Sequence, residues 1–105
     1  MSSGRGMALG DRILRVSSTF RRSVERAGVQ PGSSTYRGVF AVLRALATSG
    51  LPGLGDYETA FAPGRAYVRR VVGHNLWLLY RFDDQYVFVM TIRKQPPVPA
   101  NDILF

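Results

Sequence analysis

Apolar side chains between residues 34 and 50 recur at every third or fourth position, which is the spacing of one face of an α-helix. These positions are Tyr36, Val39, Phe40, Leu43, Leu46 and Ala47. The turn-forming residues 30–34 place Ser33 or Ser34 where a helix N-cap belongs, and Gly50 ends the pattern. We therefore predict a helix between Ser34 and Gly50.

The segment before this helix fits two patterns. A helical stripe would contain Leu9, Ile13, Val16, Phe20 and Val24. Residues 13–17 fit a strand equally well, and that strand would precede a helix from Ser18. Both interpretations place the end of a helix near Gly28, because glycine is the usual residue just after a helix C-terminus.

The C-terminal half has the pattern of a β-meander. Residues 65–93 are typical of three strands joined by tight turns at residues 73–74 and 83–84. Residues 57–61 are a candidate fourth strand, and residues 62–64 supply the turn that follows it.

The turn at residues 73–74 also predicts the pairing of two strands. It places Arg70 opposite Trp77 and Val68 opposite Leu79. One face of the sheet then carries Arg70, Trp77, Arg81, Tyr86, Phe88, Met90 and Ile92. The other face carries Tyr67, Arg69, Leu76, Leu78, Tyr80, Phe82, Val87 and Val89. Both faces are partly apolar, so periodicity alone does not decide which one meets the helices.

The order of these elements predicts an α+β fold. We expect two N-terminal helices, with or without a short leading strand, packed on a three- to four-stranded antiparallel β-meander. A chain of 105 residues fits one domain with one core. Residues 1–10 are small and rich in glycine, so we predict a flexible leader there and a single domain over residues 11–105.

The charge of the chain points to an anionic partner. Fourteen Lys and Arg residues against seven Asp and Glu give a net charge of +7, and thirteen of the fourteen cations are arginine. Arginine suits two-pronged contacts with phosphate and stacking on rings. Eight of the arginines lie in residues 1–52 with only Asp11 and Glu25, which leaves +6 in that half. Nucleic acid is therefore the favoured class of partner.

Other classes of chemistry are excluded or disfavoured. The chain has no cysteine and one histidine, so it has no disulfide, no thiolate nucleophile and no cysteine-based metal site. We predict no metal and no cofactor. No apolar run approaches the length of a membrane span, and residues 1–10 lack the apolar core of a signal peptide. We therefore expect a cytoplasmic protein with no membrane partner.

One stretch carries a resemblance to a known family. Residues 76–82 (LWLLYRF), an Asp-Asp turn at residues 83–84 and an apolar strand ending in Arg93 and Lys94 follow two predicted helices. This arrangement resembles the RelE/ParE toxin superfamily. The resemblance implies a toxin of a toxin–antitoxin pair, neutralised by an acidic antitoxin protein, which cuts mRNA on the ribosome without a metal. It also implies that the tyrosine of the motif, Tyr80, lies in the core, so that its face of the sheet meets the helices.

The same resemblance implies roles for individual side chains. Those expected to be catalytic are Arg70 and Arg81, which would clamp a phosphate, and His74 and Lys94, either of which would transfer protons. Those expected to bind RNA are Trp77, by stacking on a base, and Arg65, Arg69 and Arg93, by holding the RNA backbone. Trp77 occupies the position where the motif usually has an arginine. The tail over residues 95–102 is rich in proline where a basic run is usual.

Two other functions compete with mRNA cleavage. A ParE-like inhibitor of DNA gyrase would need no catalytic groups, and the missing motif arginine favours it. An RNase domain of a secreted polymorphic toxin, neutralised by an immunity protein, would fit the order of helices and then a meander. Single residues also have simpler interpretations: His74 as a solvated turn residue, and Trp77 as an anchor of the core or of an interface.

Overall fold

The computed structural model describes residues 11–100. In order along the chain, the helices and strands are β1 (Ile13–Val16), α1 (Ser18–Arg26), α2 (Ser34–Thr48), β2 (Tyr57–Ala60), β3 (Arg65–Val71), β4 (Leu76–Phe82) and β5 (Tyr86–Arg93). The predicted α+β class and the two helices are confirmed. The leader predicted for residues 1–10 lies outside the described residues, as do the last five positions of the predicted domain.

Local capping residues determine where both helices begin. Ser33 accepts a hydrogen bond on its hydroxyl from the backbone N–H of Tyr36 at 3.1 Å, which caps α2. Ser17 caps α1 in the same way, accepting from the N–H of Phe20 at 3.0 Å. The strand interpretation of residues 13–17 is therefore the observed one, with a helix that starts at Ser18.

The sheet differs from the predicted antiparallel meander. Among the described residues it has five strands in the order β1-β5-β4-β3-β2. Strands β2 to β5 form the predicted antiparallel meander, whereas β1 pairs in parallel with β5. The two helices carry the chain from β1 to β2 at the far edge of the sheet, and the meander then returns to β5 beside β1; parallel strands need such a long connection. The sheet is therefore mixed, a feature that the alternation pattern does not encode.

The predicted register of β3 and β4 is confirmed, but one strand contains an irregularity. Arg70 opposes Trp77 and Val68 opposes Leu79. Between β4 and β5, however, the register shifts after Leu79, so that Met90 is an extra residue in β5. A one-residue shift reverses the side on which the following side chains lie. The prediction that Ile92 lies on the face of Arg70 is therefore wrong. Ile92 lies in the core beneath the helices.

The two faces of the sheet have different coverings. The helices pack on the face of Leu78, Tyr80 and Val89, all with no exposed surface, as the resemblance implied. Helix residues in that core are Phe20, Val39, Leu43 and Leu46. We call the opposite side, which carries Arg70 and Trp77, the open face.

The C-terminal segment crosses part of the open face. The Tyr57 hydroxyl donates to the carbonyl of Pro97 at 2.6 Å, and the Thr59 hydroxyl donates to that of Val98 at 2.6 Å. A single β-bridge joins Thr59 to Pro99. A second, smaller core lies on this side of the sheet, formed by Ala66, Val68 and Leu79 with Tyr57, Phe61 and Trp77 around them.

Neither helix in residues 11–100 could cross a bilayer. The longer one, α2, has 15 residues and contains two arginines, whereas a spanning helix needs about 20 apolar residues.

Candidate nucleic-acid interface

The open face is a surface of arginines and aromatic rings. Its strand positions include the four arginines Arg15, Arg70, Arg81 and Arg93 and the aromatic residues Tyr57, Trp77, Tyr86 and Phe88. Of the strand positions in residues 11–100 that point to this face, none is Asp or Glu. Because no carboxylate on these strands neutralises the guanidinium groups, the face attracts anions.

Arg70 and Trp77 form one pair at the end of the sheet where β3 turns into β4. They are direct cross-strand neighbours, and Cζ of Arg70 lies 5.6 Å from the centroid of the Trp77 ring. Arg70 is exposed and Trp77 half-buried. A guanidinium above an indole leaves its N–H groups free for phosphate while the ring offers a surface for a base.

Arg81 and Arg93 converge on a ring that sequence reasoning missed. Their Cζ atoms lie 5.4 Å and 5.7 Å from the centroid of Phe61. Arg81 is also held in place, because its Nε donates to the carbonyl of Arg65 at 2.8 Å and its Nη2 to that of Phe61 at 2.6 Å. Phe61, the last position of the candidate fourth strand, directly follows β2, and only the folded chain brings it to these arginines.

Arg70 and Arg81, expected to clamp one phosphate together, lie at different positions along the open face. Trp77, the partner of Arg70, precedes Arg81 by four positions on β4, which is about 13 Å at ~3.3 Å per residue. The fold instead places Arg81 with Arg93, and Arg70 with Trp77. The two pairs would contact different phosphates.

Arg65 and Arg69 lie on the helix side of the sheet and bind carboxylates. Arg65 donates to Glu58 at 3.0 Å, and this hydrogen bond lowers the pKa of the Glu58 carboxyl. Arg69 donates to both carboxylate oxygens of Asp56, at 2.9 Å and 2.8 Å, and this pairing raises the pKa of the Arg69 guanidinium. Arg69 is therefore bound and largely buried, whereas Arg65 uses only Nη1 in its ion pair and stays exposed.

Asp56 connects that ion pair to the core. It also accepts hydrogen bonds from the backbone N–H of Gly53 at 2.9 Å and from the hydroxyl of Tyr80. Burial and the hydrogen bond to Asp56 raise the pKa of the Tyr80 phenol. The cluster holds the loop before β2 against the sheet, and its role is structural.

His74 and Lys94 meet at one cavity, at the same end of the sheet as Trp77. The cavity has a volume of about 480 Å³ and lies between the α1–α2 loop and the β3–β4 turn; Ser33 and Thr35 also line it. Nδ1 of His74 lies 3.0 Å from the hydroxyl oxygen of Thr35. The ring is half-buried and packs over Gly38, on the helix side of the turn. No sequence pattern indicates a role for Thr35, since it lies 39 positions from His74 along the chain.

A wider groove adjoins this cavity. It has a volume of about 740 Å³, and its charged lining residues are Arg26, Arg93 and Lys94. Lys94 lines both spaces, and no Asp or Glu lines either of them. Arg26 of α1 therefore shares this groove with Arg93 and Lys94. Residues 11–100 contain no cluster of three or more His, Cys, Asp or Glu side chains that could hold a metal ion.

Comparison of the chain with models of protein families, with curated proteins and with solved structures found no significant match. The function must therefore be argued from the geometry of the site.

Proposed function

We propose that this chain is the toxin of a toxin–antitoxin pair, related to the RelE/ParE toxins, that cleaves mRNA on the ribosome in the cytoplasm. One observation carries the proposal: His74 and Lys94 line one cavity free of carboxylates, beside the Arg93 and Trp77 end of the open face. Two side chains able to move protons, next to arginines and a half-buried ring, are the groups that metal-free RNA cleavage needs.

Binding comes from the open face. Arg70 and Arg93 would neutralise backbone phosphates, and Trp77 would stack on a base. Arginine is suited to this because its planar fork contacts two phosphate oxygens at once. An acidic antitoxin would inactivate the protein by covering the same arginines.

Cleavage would follow by transfer within the RNA. His74 accepts the proton of a ribose 2′-hydroxyl, and the oxygen attacks the adjacent phosphorus. Arg93 stabilises the negative charge that builds on the phosphorane oxygens. The bond from phosphorus to the 5′ oxygen then breaks, and Lys94 donates a proton to that oxygen. The products are a 2′,3′-cyclic phosphate and a 5′-hydroxyl, and proton exchange with water restores both side chains.

Thr35 and Gly38 would position the histidine. The hydrogen bond between the Thr35 hydroxyl and Nδ1 restricts rotation of the ring. A Cβ at position 38 would lie only 3.0 Å from Cδ2 of His74, so glycine leaves the space that the ring occupies.

The test is a translation reaction with purified ribosomes and a reporter mRNA, in which new 5′ ends are mapped by primer extension. We expect cleavage by the native chain and a rate reduced by ~10²–10⁴-fold in His74→Ala and Lys94→Ala, the usual contribution of a proton-transfer group. Arg44→Ala, which removes an exposed arginine of α2 outside the interface, is the matched control. Full cleavage by both the His74 and Lys94 variants would refute the proposal.

The second candidate is inhibition of DNA gyrase without chemistry. It is favoured by the orientation of His74, whose ring packs against α2 and not over the open face. A plasmid supercoiling assay with purified gyrase separates the two functions. Inhibition that survives His74→Ala, together with intact reporter mRNA, would favour this second candidate.

A further inference from the structure

A second group of arginine and aromatic side chains lies at the other end of the open face. Cζ of Arg15 lies 4.8 Å from the centroid of the Tyr86 ring. The rings of Tyr86 and Phe88 are 5.7 Å apart and tilted by 34°. Arg15 opposes Phe88 across β1 and β5, and Phe88 opposes Arg81 across β5 and β4. A cation, a ring and a cation therefore form a row across three strands.

This group is accessible. Arg15 is exposed, Phe88 is 36% exposed and Tyr86 is half-buried. Within residues 11–100 Arg15 forms no salt bridge, so its guanidinium is available to an anion. None of the three belongs to the core beneath the helices or to the small core under the C-terminal segment. Exposed rings with an available guanidinium above them are suited to ligand binding.

We infer that Arg15, Tyr86 and Phe88 form a second subsite for a nucleobase, so that the ligand of the open face is an unpaired RNA strand held at both ends. This inference rests on the proposed function, which supplies RNA as the ligand. Rings on a sheet bind bases that are not paired, because a base pair hides its stacked faces within the helix. The absence of Asp and Glu at the outward strand positions favours RNA over a basic or neutral protein segment.

The distance between the two subsites determines the length of the strand. From Trp77 to Arg81 is four positions on β4, and Phe88 lies one strand further across. Four steps of ~3.3 Å and one lateral step of ~4.8 Å give a separation of about 14 Å. Stacked nucleotides rise ~3.4 Å each, so the two end bases are about four steps apart. A fully stacked strand that reaches both subsites therefore has about five nucleotides.

Burial of the residues between the subsites explains why the bases at the two ends should dominate. Leu79, midway along β4, has no exposed surface, and Pro97 is also buried. Between the subsites the strand would pass the guanidinium groups of Arg81 and Arg93 at Phe61, which would contact phosphates and not bases. Bases in the middle of the strand should matter less than the bases at its ends.

The experiment measures fluorescence anisotropy of the full chain with labelled, unstructured 8-nucleotide oligouridine. We expect Tyr86→Leu/Phe88→Leu to weaken binding at least about fivefold, the loss of one stacked base. Leucine keeps the apolar volume and removes the ring. Phe40→Leu, which changes a ring 45% exposed on α2, is the matched control and should leave affinity unchanged. Arg15→Gln should lower the slope of log K against log salt by about 1.

Other results would overturn the second subsite but leave the proposed cleavage of mRNA intact. If Trp77→Leu weakens binding and neither the double variant nor Arg15→Gln does, the second subsite does not exist, although the proposed function stands. Equal affinity for an 8-base-pair duplex would overturn the requirement for an unpaired strand. An oligonucleotide with abasic middle positions should bind like the intact one, and a loss above about fivefold would contradict the two-ended arrangement. If the native chain binds no RNA at all, both the inference and the proposed function fail.

Discussion

Removal of the Asp56 carboxylate should destabilise this fold more than any other single loss of charge in residues 11–100. The side chain of Asp56 is 3% exposed and that of its partner Arg69 is 17% exposed. In Asp56→Ala the Arg69 guanidinium stays largely buried without its counter-ion, and the Tyr80 hydroxyl and the Gly53 N–H lose their acceptor. Breaking a buried pair from one side costs about 3–5 kcal/mol.

That loss is large against the total stability of a small domain, about 5–15 kcal/mol. Urea unfolding followed by tryptophan fluorescence measures it, since Trp77 is the only tryptophan. With a slope of about 2 kcal/mol/M, the midpoint should fall by about 1.5–2.5 M. Arg69→Met in the same background should restore part of the loss, because the unpaired charge is then removed.

The exposed ion pair provides the control. Nη1 of Arg65 lies 3.0 Å from Oε1 of Glu58, but the two side chains are 55% and 39% exposed. Water screens such pairs, so Glu58→Ala should shift the urea midpoint far less than Asp56→Ala does. Equal losses in Asp56→Ala and Glu58→Ala would show that burial does not control the energy of these pairs, and the structural role given to Asp56 would be wrong.

Three further outcomes are expected. The folded state raises the pKa of the Tyr80 phenol above its ordinary value of 10.0. The contribution of the neutral phenol to stability should therefore be complete below pH 10 and decline as pH rises further. In unfolding experiments from pH 9 to 11, Tyr80→Phe should flatten that decline. Gly38→Ala should shift the His74 ring by a few tenths of an ångström and lower mRNA cleavage about tenfold with the fold retained, and an unchanged rate would contradict the positioning role. Ser17→Ala removes the cap of α1 and its bond to the Met90 carbonyl at 2.8 Å, so thermal unfolding should show a loss of about 1–2 kcal/mol, and no loss would contradict the capping role.

Part of the site could be predicted because it depends on neighbouring strands alone. The turn between β3 and β4 sets their register, and the register places Arg70 beside Trp77. Arg81 follows on the same face by alternation. The helix-side burial of Tyr80 was expected from a resemblance and not from periodicity, since both faces of the sheet contain apolar residues.

Other parts of the site depend on contacts that no local pattern contains. Arg69 alternates correctly along β3, but its charge is bound by Asp56, which lies in a loop thirteen positions away. His74 was grouped with Arg70 because they are close in sequence. The turn directs the ring instead to Thr35 on α2, in the cavity that it shares with Lys94.

The sequence by itself determined the helix α2 with a serine cap, the end of an earlier helix near Gly28, the strands of the meander and the surplus of arginine. These features follow from backbone preferences and periodicity over a few residues, which act before distant parts of the chain meet. Only the tertiary structure decided the parallel pairing of β1 with β5, the extra residue at Met90, and the meeting of Arg81 with Arg93 at Phe61. Each of these depends on contacts between segments far apart in the chain, whose energies exist only after the core has brought them together.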